Sequence, residues 1–192
     1  MIREGELKTL HRLWSLAERE GKKLNRDANY VFSDIGLAFY RPMAHAGYYC
    51  TPTNTLSFAA TGGDGVHYGL LALDDIVSDM SPVVMTVPMH FAAPNMILGA
   101  DLLEFLCLGC QVGYIFEDLI YHRSESLQWL KNPEKGLRIE DHAYYLIDPI
   151  TEVEYPQDVI CAEFNLRPWK EFEQRLAELN NQYLPMLQVS EF

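Results

Sequence analysis

Basic residues are scarce in this chain: 15 Lys and Arg stand against 27 Asp and Glu, a formal net charge of −12. A surface of that sign repels phosphate backbones and anionic lipid headgroups, so neither nucleic-acid binding nor attachment to an anionic membrane is expected. A basic protein partner would be attracted and steered by the same field. Cysteine is sparse as well. Cys50, Cys107, Cys110 and Cys161 are too few for a disulfide framework in a chain of 192 residues and read as reduced thiols of a cytoplasmic protein. Long apolar runs are missing: segments such as Val83–Pro88 fall far short of the roughly 20 residues a bilayer span needs. Met1–Glu6 carries no apolar stretch behind a basic head and is not read as a secretory leader. There is no internal repeat, no low-complexity tract and no G-x-S-x-G elbow. No cofactor-binding motif stands out, so no cofactor is expected.

What the chain does have is enough apolar material for a core, with 48% hydrophobic residues, and a length that one domain accommodates. Leu7, Leu10, Leu13, Trp14 and Ala17 recur at steps of three and four, which predicts a helix over residues 5–20 ended by Gly21. Asn25-Arg26-Asp27 reads as a turn, and Tyr30–Phe32 and Tyr48–Cys50 as short strands. Leu56–Ala59 and Val66–Leu71 flank the turn Thr61-Gly62-Gly63-Asp64-Gly65 and read as a hairpin. A third strand, Val83–Val87, is bracketed by Pro82 and Pro88. Asn95–Gly99 then leads into a helix with Asp101 as its N-cap or a first-turn acid. Short helices are predicted over Tyr114–Tyr121 and, capped by Ser124, up to Lys131. A last helix carries Pro168 in its first turn, buries Trp169, Phe172, Leu176 and Leu179, and ends at Asn180-Asn181. Residues 137–165 fit strand and helix equally. The sum is one α+β domain over residues 1–192, a central, largely antiparallel sheet with N-terminal and C-terminal helices packed around it.

The order strand, glycine-rich turn, strand, acidic turn, strand, helix reads here as Phe58–Tyr68, then Ser81–Val84, then Leu98–Leu106. It resembles the SUKH superfamily, which includes yeast regulators of glucan synthesis and cell-wall assembly and many bacterial immunity proteins. The resemblance covers residues 56–108. It implies an α+β fold with a mixed or antiparallel sheet, no catalytic residues, and a task performed by surface contact. The implied task is that of an immunity protein neutralising a toxin, and an acidic protein suits a basic toxin.

The residues that carry chemistry allow a second reading. Asp64 and His67 stand three apart, Asp74, Asp75 and Asp79 follow, and His90 ends the next strand. Three such side chains converging would bind a divalent metal or perform acid–base work, so a small enzyme or metal-dependent protein centred on Asp64, His67 and His90 is the alternative. The glycine turn is not a phosphate loop, because Val66 and His67 stand where a Walker motif needs lysine and a hydroxyl residue. Cys107 and Cys110 form a C-x-x-C pair toward a helix end, where the dipole does not lower a thiol pKa, while Cys50 and Cys161 stand apart in sequence. His142 beside Asp141 is a further possible pair. Tyr40, Tyr48, Tyr49, Tyr114, Tyr121, Tyr144 and Tyr145 supply anchors for a binding face. Tyr48 and Tyr49 are the foremost, since neighbours on a strand point to opposite sides.

Overall fold

The computed structural model describes residues 2–132 and 156–189. Strands β2 (Ala38–Ala44), β3 (Thr55–Ala60), β4 (His67–Leu71), β6 (Val83–Thr86) and β7 (Asn95–Gly99) form one sheet in the order β2-β3-β4-β6-β7. Every neighbouring pair in it is antiparallel. Two short strands, β1 (Arg3–Glu4) and β5 (Ile76–Val77), pair in parallel beside it. The helices are α1 (Lys8–Leu24), α2 (Leu102–Gly109), α3 (Asp118–Tyr121), α4 (Arg123–Lys131), α5 (Pro156–Phe164) and α6 (Phe172–Tyr183). The fold is α+β, as the sequence pattern implies.

Alternation along each strand divides the sheet into two faces. On the first, Phe58, Tyr68, Leu70, Val83, Met85 and Leu98 join the stripe Leu10, Leu13, Leu16 and Ala17 of α1 and Leu102, Phe105 and Leu106 of α2 in one core. Aromatic rings fill its centre: Phe105 lies 5.0 Å from Tyr68, 5.2 Å from Tyr114 and 6.0 Å from Phe58 by ring centroids. Both buried phenols are satisfied, Tyr68 donating to the Tyr114 carbonyl and Tyr114 to that of Leu106 at 3.0 Å. On the second face Leu71, Val84 and Ile97 pack against Leu179 of α6.

α6 rides over the outer edge of β7. Its Asn180 side chain accepts from Ile97 N–H at 2.9 Å and donates to Ile97 C=O at 3.0 Å, taking the part of a missing strand. At the opposite edge, β2 contains Pro42, which cannot donate into a ladder and is tolerated on an edge strand.

Several boundaries differ from the sequence reading. Gly21 does not end α1. The helix runs on to Leu24 and closes through Asn25, at φ 51°, whose N–H bonds to Gly21 C=O. Glycine is needed at 21 because a Cβ there would lie 2.9 Å from the Arg26 carbonyl oxygen of the returning chain. Asp79, one of the acidic residues that follow His67, accepts from the N–H groups of Lys8 and Thr9, both at 2.9 Å, and so caps α1 from 70 residues away. Tyr30–Phe32 forms only a single bridge, Phe32 to Leu37, and Tyr48–Cys50 lies in a loop and turn. The strand of this region is β2. Asn95–Gly99 is the strand β7 itself. Asp101 does cap α2, accepting from Glu104 N–H at 2.7 Å. Helix in the Tyr114–Tyr121 stretch is confined to α3, and Ser124 lies inside α4, which begins at Arg123. Pro168 precedes α6 rather than opening it, and the helix continues past Asn180-Asn181 to Tyr183. Among the described residues no helix is long and apolar enough to cross a membrane.

Candidate functional site

The five residues singled out from sequence fall at one end of the sheet, where the β3–β4 turn, the segment 45–54 and the β6–β7 loop meet. The turn is shaped by three positive φ angles, Gly62 at 91°, Asp64 at 50° and Gly65 at 71°. Asp64 therefore serves the turn, a left-handed position that aspartate tolerates. Gly65 is required on a second count: a Cβ there would sit 2.5 Å from the Tyr48 hydroxyl, so the bare backbone is the seat of the Tyr48 ring.

His67 begins β4, paired across to Ala60 and Thr86. It is buried, and both ring nitrogens are engaged. Nδ1 donates to the Gly65 carbonyl at 2.7 Å, which leaves Nε2 to accept from the Thr51 hydroxyl at 3.1 Å. Tyr48 stacks on the imidazole, centroids 5.5 Å apart and planes 17° from parallel. Burial pushes the His67 pKa down, the Gly65 hydrogen bond opposing it only in part. The side chain is a neutral strut tying segment 45–54 to the central strand. Beside it Thr86 donates to Asn95 Oδ1 at 2.7 Å, and Asn95 donates to the Cys50 carbonyl at 3.1 Å, a second tie to the same segment.

So anchored, the segment presents Tyr48 and Tyr49 to solvent. Tyr49 donates to the Pro88 carbonyl at 2.9 Å and stacks with Phe91, centroids 6.3 Å apart. His90 accepts from the Ala93 N–H at 3.2 Å within its own loop and meets Tyr121 of α3 edge-on at 5.4 Å. The result is an aromatic ridge of Tyr48, Tyr49, His90, Phe91 and Tyr121 with Met89 beside Phe91. Phe91 is 74% exposed and Met89 59%, and with the rings beside them they form an apolar patch of the kind that marks interaction sites.

Tyr48, Asp64 and His67 thus gather on one turn, and Tyr49 and His90 belong to the adjoining ridge. Asp64, His67 and His90 do not converge as ligands: among the described residues no three His, Cys, Asp or Glu side chains are grouped to hold a metal ion. Of the other tyrosines, Tyr114 is core, Tyr40 is half-buried and Tyr121 is exposed. Tyr144, Tyr145 and the Asp141–His142 pair lie outside the described residues. Sequence reasoning missed Met89 and Phe91. Their signal is the stretch Met89-His90-Phe91-Ala92-Ala93 set between Pro88 and Pro94, where a loop rather than a strand displays it.

The class defined by this arrangement is an α+β protein with an exposed aromatic loop ridge on an acidic body. No family model, no curated protein and no solved structure matches the chain.

Proposed function

We propose that this chain is a non-enzymatic protein-binding module, that its contact surface is the ridge Tyr48, Tyr49, Met89, Phe91 and Tyr121, and that its partner is a basic protein. The observation that carries the reading is the exposed Tyr49–Phe91 stack. Aromatic residues and methionine are enriched in interface cores, and rings already held in place lose little freedom on binding. The net charge of −12 supports a cationic partner through long-range steering. The SUKH-like order of residues 56–108 supports the same class, a protein acting by contact, and within it the role of an immunity protein neutralising a basic toxin. His67 argues against the alternative, since a histidine with both nitrogens occupied by Gly65 and Thr51 has none left for a metal or a proton relay.

The test is affinity capture from the source cell with purified chain as bait, run in parallel with a Met89→Ser/Phe91→Ser variant. Both side chains are exposed, so the variant keeps the fold, which circular dichroism verifies. Recovery of one stoichiometric basic protein by the wild type and its loss with the variant is expected. Equal recovery by both baits, or capture of no basic protein by either, overturns the proposal.

A further inference from the structure

Away from the ridge, the fold brings together thiols that the sequence separates. Cys107 and Cys110 lie on the last turn of α2 and just beyond it, and Cys161 lies in α5. The Cys161 thiol donates to the Cys110 carbonyl at 3.1 Å across 51 residues of chain. The two thiols are close enough to shift each other's proton affinity in opposite directions. Cys110 is buried, whereas Cys161 is half-exposed. All four cysteines are free.

We infer that Cys110 and Cys161 are a peroxide-oxidisable dithiol that closes reversibly to a disulfide tying α5 to α2. Cys161 is the sulfur that reacts first. It is the one solvent reaches, and the hydrogen bond from Cys110 draws its pKa down while pushing that of Cys110 up. Thiolate character and access are what select a cysteine for oxidation. In the first step the Cys161 sulfur attacks hydrogen peroxide, the O–O bond breaks, and sulfenic acid and one water form. In the second, the Cys110 sulfur attacks the sulfenic sulfur, the S–O bond breaks, and the oxygen leaves with the Cys110 proton as a second water. Two thiols are oxidised by two electrons and one peroxide is reduced.

Cys107 is the control that the geometry supplies. It sits one turn earlier on the same helix and is half-exposed too, but burial pushes its thiol pKa up, the Arg167 backbone N–H opposing this only in part. Proximity in sequence favours Cys107 with Cys110; the fold favours Cys161. The bond also alters how α5 is held. Its exposed side is held to α1 by ion pairs of Glu163 with Arg12 at 2.7 Å and Arg19 at 2.5 Å, which salt weakens, and a disulfide is indifferent to salt.

The experiment treats the full chain with hydrogen peroxide at neutral pH, blocks remaining thiols with iodoacetamide, and maps unreduced peptides by mass spectrometry. The expected product is a peptide pair joining Cys110 to Cys161, two hydrogens lighter than its parts and released by dithiothreitol. Free thiols titrated after denaturation fall from four to two. Cys107→Ser retains the cross-link, and Cys161→Ser does not form it. A Cys107–Cys110 bond, a bond between chains, or sulfinic acid at Cys161 without a cross-link overturns the inference. The wild-type map decides by itself if a variant fails to fold.

Discussion

His67 shows how much of a residue's role is set by partners remote in sequence. Its place beside a glycine turn on an apolar strand is legible in the pattern 61–71. Its burial under Tyr48 and its bond to Thr51 are not, because segment 45–54 carries no periodicity that places it over β4. The consequence is a pH dependence with a defined sign. Desolvation lowers the folded pKa below the unfolded value of about 6.5, so the unfolded chain takes up the proton first. The stability this histidine contributes is complete above about pH 6.5 and is lost as pH falls through its folded pKa. Urea midpoints measured from pH 8 to pH 5 are expected to decline below that point in the wild type, and less steeply in His67→Gln. At pH 8 the substitution itself costs about 1–3 kcal/mol, because it disturbs one buried and one part-buried hydrogen bond. Parallel declines for the two proteins would mean that other groups carry the whole effect.

Elements were legible where one face is buried and the other wet. The 3.6-residue stripe of α1, the β3–β4 hairpin and the Asp101 cap of α2 all follow from such patterns. β7 was not, because Met96, Ile97 and Leu98 are buried on both faces, and a continuous apolar run has no period to tell strand from helix. β2 was obscured by Arg41 and Pro42, which are acceptable only because the strand is at an edge. The other edge depends on a side chain. Asn180 replaces a strand for Ile97 and also donates to Leu176 C=O at 2.7 Å, anchoring itself to its own helix. Asn180→Ala is therefore expected to destabilise the protein by about 1–3 kcal/mol, since the Ile97 amide and carbonyl lose partners in a partly buried place. Hydrogen exchange localises the effect: the Ile97 amide should lose protection by a larger factor than amides of β3. An unchanged exchange rate at Ile97 would show that the edge does not need this contact.

At the scale of the whole molecule, two electrostatic effects oppose each other, and distance decides between them. Twelve excess negative charges repel one another across the fold, whose radius of gyration is about 16 Å for a chain of this length. The Debye length shortens from about 30 Å at 0.01 M salt to about 8 Å at 0.15 M, so added salt removes repulsion across the molecule while leaving close contacts largely intact. The ion pairs weakened in exchange, such as Glu163 with Arg12 and Arg19, are exposed on the arginine side and contribute about 0–1 kcal/mol each. Repulsion relieved outweighs attraction lost, so the urea midpoint is expected to rise as sodium chloride increases from 0.01 to 0.15 M. For the basic partner proposed above the expected effect has the reverse sign, because the same screening removes the attraction that steers encounter and lowers the association rate. A protein that grows more stable with salt while its partner associates more slowly carries its charge for recognition at some cost to the fold. Titrations of the urea midpoint and of the association rate over the same salt range test this directly. A midpoint that falls with salt would place the balance in the Glu163 pairs instead, and an association rate indifferent to salt would leave the aromatic ridge as the whole of the recognition surface.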